Sequence, residues 1–121
     1  MWTSVRCVNL GLARQDLGPG HWVYAQHFPG DPIFPGTLII EAAGQLVALW
    51  AWADGQRGRP RLVKTSAEFR APVEIADPQL VLEGVVKRKR HLNFADVTVR
   101  TQRQVVASVS MVLAVVPAAD A

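Results

Sequence analysis

From Leu38 to Ala53 every residue is apolar or glycine except Glu41 and Gln45, which stand four apart and so share one helix face, one above the other. A helix that is apolar nearly all round is a buried helix. Its start is set by Pro35-Gly36-Thr37, where the proline bars Phe34 from the helix and Gly36 or Thr37 can serve as the cap. Its end falls at Asp54-Gly55, ahead of the polar loop from Gln56 to Pro60. After that loop the periodicity changes to two. Strands are predicted at about Leu62 to Phe69, Gln79 to Lys89, Leu92 to Thr101 and Val105 to Val116. The last is the clearest: Val105, Ala107, Val109, Met111, Leu113 and Val115 form one apolar face, with Ser108 and Ser110 on the other.

Pro72 and Pro78 delimit a connection, and Arg90-His91 and Gln102-Arg103 read as hairpin ends. Nearer the N-terminus, Ser4 to Leu12 reads as a strand, Gly18-Pro19-Gly20 as a turn and His21 to Ala25 as a short extended piece, while Pro117 to Ala121 reads as a frayed tail. There is no internal repeat and no linker. One buried helix followed by consecutive antiparallel strands predicts an α+β fold, with a curved antiparallel sheet wrapped around a single central helix and residues 1–121 forming one domain.

The chain has 121 residues, 50% of them hydrophobic, which leaves apolar surface that calls for a partner subunit. Cys7 is the single cysteine, so no intramolecular disulfide can form, and no secretory signal pattern is seen; a cytoplasmic protein is expected. The apolar stretch from Ile33 to Ala53 is broken by Pro35-Gly36 and holds Glu41 and Gln45, so it is not read as a membrane span. The net charge of +3 is concentrated at Lys87-Arg88-Lys89-Arg90 and at Arg57, Arg59 and Arg61. These clusters are either solvated strand ends or a docking surface for an acidic partner. Nucleic acid is not favoured, because no aromatic platform is interleaved with them.

His27 and Glu41 are the candidate chemistry. A histidine titrates near neutrality and can accept a proton, and a carboxyl group flanked by Ile39, Ile40, Ala42 and Ala43 is expected to resist ionising and so to donate one. Such a pair suits the dehydration or hydration of a carbonyl compound. His21 and His91 have no motif partner, and no zinc-ligand spacing is present, so no metal is expected.

The run Gln26-His27-Phe28-Pro29-Gly30-Asp31-Pro32-Ile33-Phe34-Pro35-Gly36-Thr37-Leu38-Ile39-Ile40-Glu41-Ala42-Ala43-Gly44-Gln45 resembles the HFPGxPxxPGxLxxEAxxQ signature of the hotdog-fold 3-hydroxyacyl-acyl carrier protein dehydratases of the FabZ/FabA type. Phe69-Arg70-Ala71-Pro72-Val73 is similar to that family's FRxPV segment, and the likeness extends from Gln26 to Val116. The resemblance implies a hotdog fold and a dehydratase that turns 3-hydroxyacyl thioesters into trans-2-enoyl thioesters in fatty acid or polyketide biosynthesis. His27 would abstract the C2 proton, Glu41 would protonate the departing hydroxyl, the Gly36 N–H would hold the thioester carbonyl, and Gln45 would orient Glu41. Phe28 and Phe34 are candidates for the acyl tunnel.

No cofactor is implied. The implied partner is acyl carrier protein bearing a phosphopantetheine-linked acyl chain, docked on Lys87 to Arg90 or on Arg57 to Arg61. The implied site lies at a dimer interface, in a homodimer or in a heterodimer with another hotdog subunit. The family's N-terminal PHRxPFLLVDR segment is not recognisable. Glutamate at position 41 is like the dehydratase-only branch, whereas Asp31 is common in the branch that also isomerises the double bond. Two other readings accompany this one: a hotdog acyl thioesterase, and a partner subunit of a heteromeric dehydratase that binds acyl carrier protein.

Overall fold

The structure, a computed structural model, describes residues 2–7, 10–17, 22–23 and 34–117. Among the described residues six antiparallel strands form one sheet: β1 (Trp2–Cys7), β2 (Leu10–Asp16), β3 (Arg59–Phe69), β4 (Gln79–Lys89), β5 (Leu92–Arg100) and β6 (Val105–Val116), in the spatial order β1-β2-β4-β5-β6-β3. Helix α1 (Gly36–Ala53) crosses the inner face of this sheet and touches every strand.

The strand alternation fixes which side chains meet the helix. On β5 the residues Asn93, Ala95, Val97 and Val99 are buried, while Phe94, Asp96, Thr98 and Arg100 are exposed, and β4 and β6 keep the same rhythm. The core lies between this inner face and α1, built around Leu46, Leu80 and Leu82, each fully buried. Burial of each such leucine contributes roughly 1.5–3 kcal/mol.

Pro35 is the helix N-cap, and its carbonyl accepts from the N–H groups of Leu38 and Ile39 at 3.1 and 3.3 Å. The cap thus falls one residue before the predicted Gly36 or Thr37, because the proline carbonyl performs the task that a cap side chain would otherwise perform. At the other end Gln56 N–H donates to the Ala51 carbonyl and Gly55 N–H to that of Trp52, both at 3.0 Å. Gly55 has φ +91°, so this is a glycine-terminated Schellman stop, at the predicted place.

Three expectations change. The stretch Ser4 to Leu12 is not one strand: it contains the end of β1 and the start of β2, which pair antiparallel with Val5 opposite Ala13. The backbone of Trp22 and Val23 is helical rather than extended. Helix α1 is not buried all round, since Ile39, Ala42, Ala43, Leu46, Val47, Trp50 and Ala51 face the sheet while Glu41, Leu49 and Trp52 are exposed. Among the described residues the helix has one layer to lie against, the sheet, and Leu49 and Trp52 of its second apolar stripe are left exposed. At 18 residues it is long and apolar enough by composition to cross a membrane, but its packed stripe faces the sheet core.

Candidate functional site

Successive residues of an α-helix are about 100° apart, and this rule separates the chemistry of α1 from its packing. Glu41, Gln45, Leu49 and Trp52 follow one another at spacings of four, four and three, so they line up along the stripe opposite the core. Gln45 Nε2 donates to Glu41 Oε1 at 3.0 Å, bringing together the acid and the orienting amide picked from the sequence. The carboxylate is exposed, a correction to the expectation that its apolar neighbours enclose it. Ile39, Ala42 and Ala43 are buried on the sheet side of the same turns, and that side faces away from Glu41.

Farther along this stripe, Gln45, Leu49 and Trp52 line an apolar groove of about 440 Å³, closed on its other side by Pro60 and Val115. The Arg57 guanidinium lies 4.2 Å from the Trp52 ring centroid and donates to the Trp52 carbonyl at 2.7 Å, so it both stacks on the groove wall and covers the helix C-terminus. Trp50 is buried under the sheet, and the two tryptophans take opposite faces as their spacing requires.

Gly36 opens the helix, where its N–H and that of Thr37 have no intrahelical acceptor. The Phe69 ring lies over it: a Cβ added at Gly36 would stand 2.8 Å from Phe69 Cζ. Gly36, Phe34, Phe69, Arg70 and Pro72 border a second cavity of about 400 Å³. Phe34 is buried and its N–H donates to the Val73 carbonyl at 2.9 Å, which ties the helix approach to the segment after β3. Phe69–Val73 is recognisable in the sequence as a motif, but its task of walling over Gly36 emerges only in the fold, and the aromatic at the strand's end is its one signal in the chain.

His27 and Phe28 lie outside the described residues, as do His21 and Asp31. Glu41 follows Gly36 by five positions and therefore leaves the helix on a side about 140° away. One chain brings Glu41 to Gln45 and Gly36 to Phe69, but it does not bring these two pairs together. Among the described residues no three His, Cys, Asp or Glu side chains cluster as metal ligands would. Both basic clusters are divided by the sheet. Arg88 and Arg57 turn to the helix side, Arg88 meeting Asp54 at 3.4 Å, whereas Lys87, Lys89, Arg59 and Arg61 fall on the outer face.

A model of the FabA-like domain matches residues 8–110. Among solved structures, the chain is similar to smu.793 from Streptococcus mutans UA159 bound to acetyl CoA, with a TM-score of 0.73, 17% identity, and coverage of 96% of this chain and 87% of that one. It is also similar to a thioesterase superfamily protein from Shewanella loihica PV-4, with TM-score 0.70, 20% identity, and coverage of 96% and 91%. A third is a hypothetical thioesterase with coenzyme A from Streptococcus pneumoniae TIGR4, with TM-score 0.75, 13% identity, and coverage of 97% and 85%. The fold is the hotdog fold, an antiparallel sheet curled about one helix.

Proposed function

Because the chain belongs to the FabA-like domain family, we propose that it is an acyl-thioester enzyme whose site is shared by two protomers, and that its reaction is the loss of water from a 3-hydroxyacyl thioester carried on acyl carrier protein. The observation that carries this reading is the placement of Glu41 with Gln45 on the exposed stripe of α1, on a different side of the helix from the chain's own Gly36 cavity. A second hotdog protomer, identical or different, set against that stripe would supply the complementary half. It would also cover Leu49 and Trp52, which are 38% and 61% exposed, and the edge strand β3, whose residues are all exposed.

In this reading His27 takes a proton from C2 and the C2–C3 double bond forms. The C3 hydroxyl leaves as water with a proton delivered by Glu41. The helix-opening N–H of Gly36 faces the thioester oxygen, where negative charge gathers. Gln45 holds the Glu41 carboxyl, Phe34 and Phe28 border the acyl path, and the groove from Gln45 to Trp52 receives the chain's apolar end. Residues 1–121 act as a single hotdog unit, in the cytoplasm.

Thioester hydrolysis is the second reading, and the structural neighbours favour it, two of the three described above being named as thioesterases. There Glu41 would direct water to the thioester carbonyl, with the same Gly36 N–H receiving the oxyanion. One experiment separates the two: the purified protein is incubated with 3-hydroxyacyl carrier protein and followed by mass spectrometry and thiol titration. Enoyl product with the thioester intact supports dehydration, and free thiol with the 3-hydroxy acid supports hydrolysis. Activity only in the presence of a second hotdog chain makes this protein a partner subunit.

A further inference from the structure

Trp52 stands in the last turn of α1 and is 61% exposed, yet its ring is held. The Arg57 guanidinium lies 4.2 Å from the ring centroid, and its Nη1 donates to the Trp52 carbonyl at 2.7 Å and to the Gln56 carbonyl at 3.2 Å. The cation is thus tied to the backbone of the residue whose ring it covers. Arg57 is itself fixed from both sides along the chain. The Gln56 side chain exchanges hydrogen bonds of 2.7 and 2.9 Å with the buried Asn93, and Gly58 lies so close to the Val116 carbonyl that no Cβ fits between them. No carboxylate competes for the guanidinium: Arg57 has no ion pair among the described residues, and the neighbouring Asp54 meets Arg88 at 3.4 Å instead. Covering the negative end of the helix accounts for the two carbonyl contacts, but not for the position over the ring.

We propose that Arg57 determines specificity in the acyl groove by holding the Trp52 ring as the wall on which the distal carbons of a long acyl chain pack. This role rests on the acyl-thioester reading of the site and holds whether that site dehydrates or hydrolyses. Trp52 lines the groove together with Gln45 and Leu49, and it follows Glu41 by 11 positions, about 16 Å along the helix axis. An extended alkyl chain, with C–C bonds of about 1.5 Å, advances about 1.25 Å per carbon. With C3 beside Glu41 and allowance for the breadth of the indole, the chain meets the ring at about its fourteenth carbon. Shorter chains end beside Gln45 and Leu49 and never touch it. The substrate class that uses the whole groove is therefore a long-chain acyl thioester, and Arg57 acts on it through Trp52 as a positioning residue.

The probes are pantetheine amides of saturated acyl chains of eight to sixteen carbons, which neither reaction consumes, titrated into the protein by isothermal calorimetry. The wild type binds more tightly with each added pair of carbons up to the longest. Arg57→Ala binds the eight-carbon probe as the wild type does, which also shows that the variant is folded, and binds the longest about threefold to tenfold more weakly. Arg57→Lys keeps the cation without the planar fork and recovers part of the loss. In a Trp52→Leu background Arg57→Ala adds nothing further, because the guanidinium works through the ring. No loss in Arg57→Ala, an equal loss at every length, or a loss that persists in Trp52→Leu overturns the proposal. So does tighter wild-type binding of the longest chain when its far end carries a carboxylate, which would make Arg57 a direct ligand. Absence of wild-type binding at every length overturns the acyl-thioester reading together with it.

Discussion

The Phe69 ring seals Gly36, its Cζ standing 2.8 Å and its Cε1 2.9 Å from the place a Cβ would occupy. Glycine matters here for space rather than for backbone conformation, since the helix conformation at this position suits any residue. Because Phe69 is 50% exposed, its ring can swing away, and Gly36→Ala is expected to change stability by less than about 1 kcal/mol. The displaced ring narrows the cavity, so kcat/KM for the acyl thioester falls by roughly tenfold to a hundredfold. Steady-state kinetics on Gly36→Ala and on Gly36→Ala/Phe69→Leu test this. The second variant recovers activity if the clash is the cause, and no recovery counts against it.

Glu41→Gln keeps a hydrogen-bonding oxygen beside Gln45 but removes the acid. The side chain is exposed, so the melting temperature stays within about 2 °C of the wild type, while kcat drops by about 10²–10⁴-fold. Gln45→Ala leaves the carboxyl in place but untethered and lowers kcat by roughly tenfold, with KM little changed. Equal activity of Glu41→Gln and wild type would remove Glu41 from the mechanism.

Most of this architecture was legible in the chain, because one-faced burial imposes a period that survives in the residues. The limits of β4 and β6 fall where the alternation placed them, and Gly55 ends the helix as a left-handed glycine should. Two things were not legible. A helix with apolar residues on both sides gives no sign of which side lacks a neighbour, so the exposure of Glu41, Leu49 and Trp52 could not be read from the pattern. The β1–β2 hairpin was hidden because strand-like residues run from Ser4 to Leu12 with only Asn9 and Gly11 as turn formers, and Gly11 itself lies within β2. The Gly36–Phe69 contact spans the helix, a loop and a whole strand, and only the fold brings its ends together.

Asp77 and Arg103 clasp the connection before β4 to the turn after β5, with Arg103 Nε and Nη2 each donating to the buried carboxylate at 2.9 Å. The Arg103 hydrogen bonds hold the Asp77 carboxyl below its ordinary range; burial opposes them, and the Glu74 N–H adds to them. A carboxylate with a lowered folded pKa stabilises the fold above its unfolded pKa, near 3.9. That stability is lost as the pH falls through the folded value. Asp77→Asn is therefore expected to cost about 1–3 kcal/mol at neutral pH. Its melting-temperature deficit stays constant down to about pH 5 and shrinks below about pH 4. Thermal melts of both proteins across this range measure it, and a deficit undiminished at the lowest pH would refute the linkage.

The helix C-terminus is fastened by an amide pair: Gln56 Nε2 donates to Asn93 Oδ1 at 2.7 Å, and Asn93 Nδ2 returns the bond at 2.9 Å while also reaching the Leu113 carbonyl at 3.1 Å. Asn93 is fully buried on the inner face of β5, where an apolar residue would be the usual occupant. Asn93→Ala leaves the Gln56 amide and the Leu113 carbonyl without their partner and opens a small void, so it is expected to cost about 2–3 kcal/mol. Gln56→Ala alone also leaves the Asn93 Oδ1 without its donor, so the two losses overlap. The double variant is then less destabilised than their sum by about 1–2 kcal/mol. Urea unfolding of the four proteins gives this coupling, and strict additivity would mean that the pair does not act as a unit. Because the same end of α1 carries Trp52 and Arg57 against the apolar groove, either single variant should also loosen that wall. Longer acyl substrates, which reach farther along the stripe from Glu41, should then lose more kcat/KM than short ones.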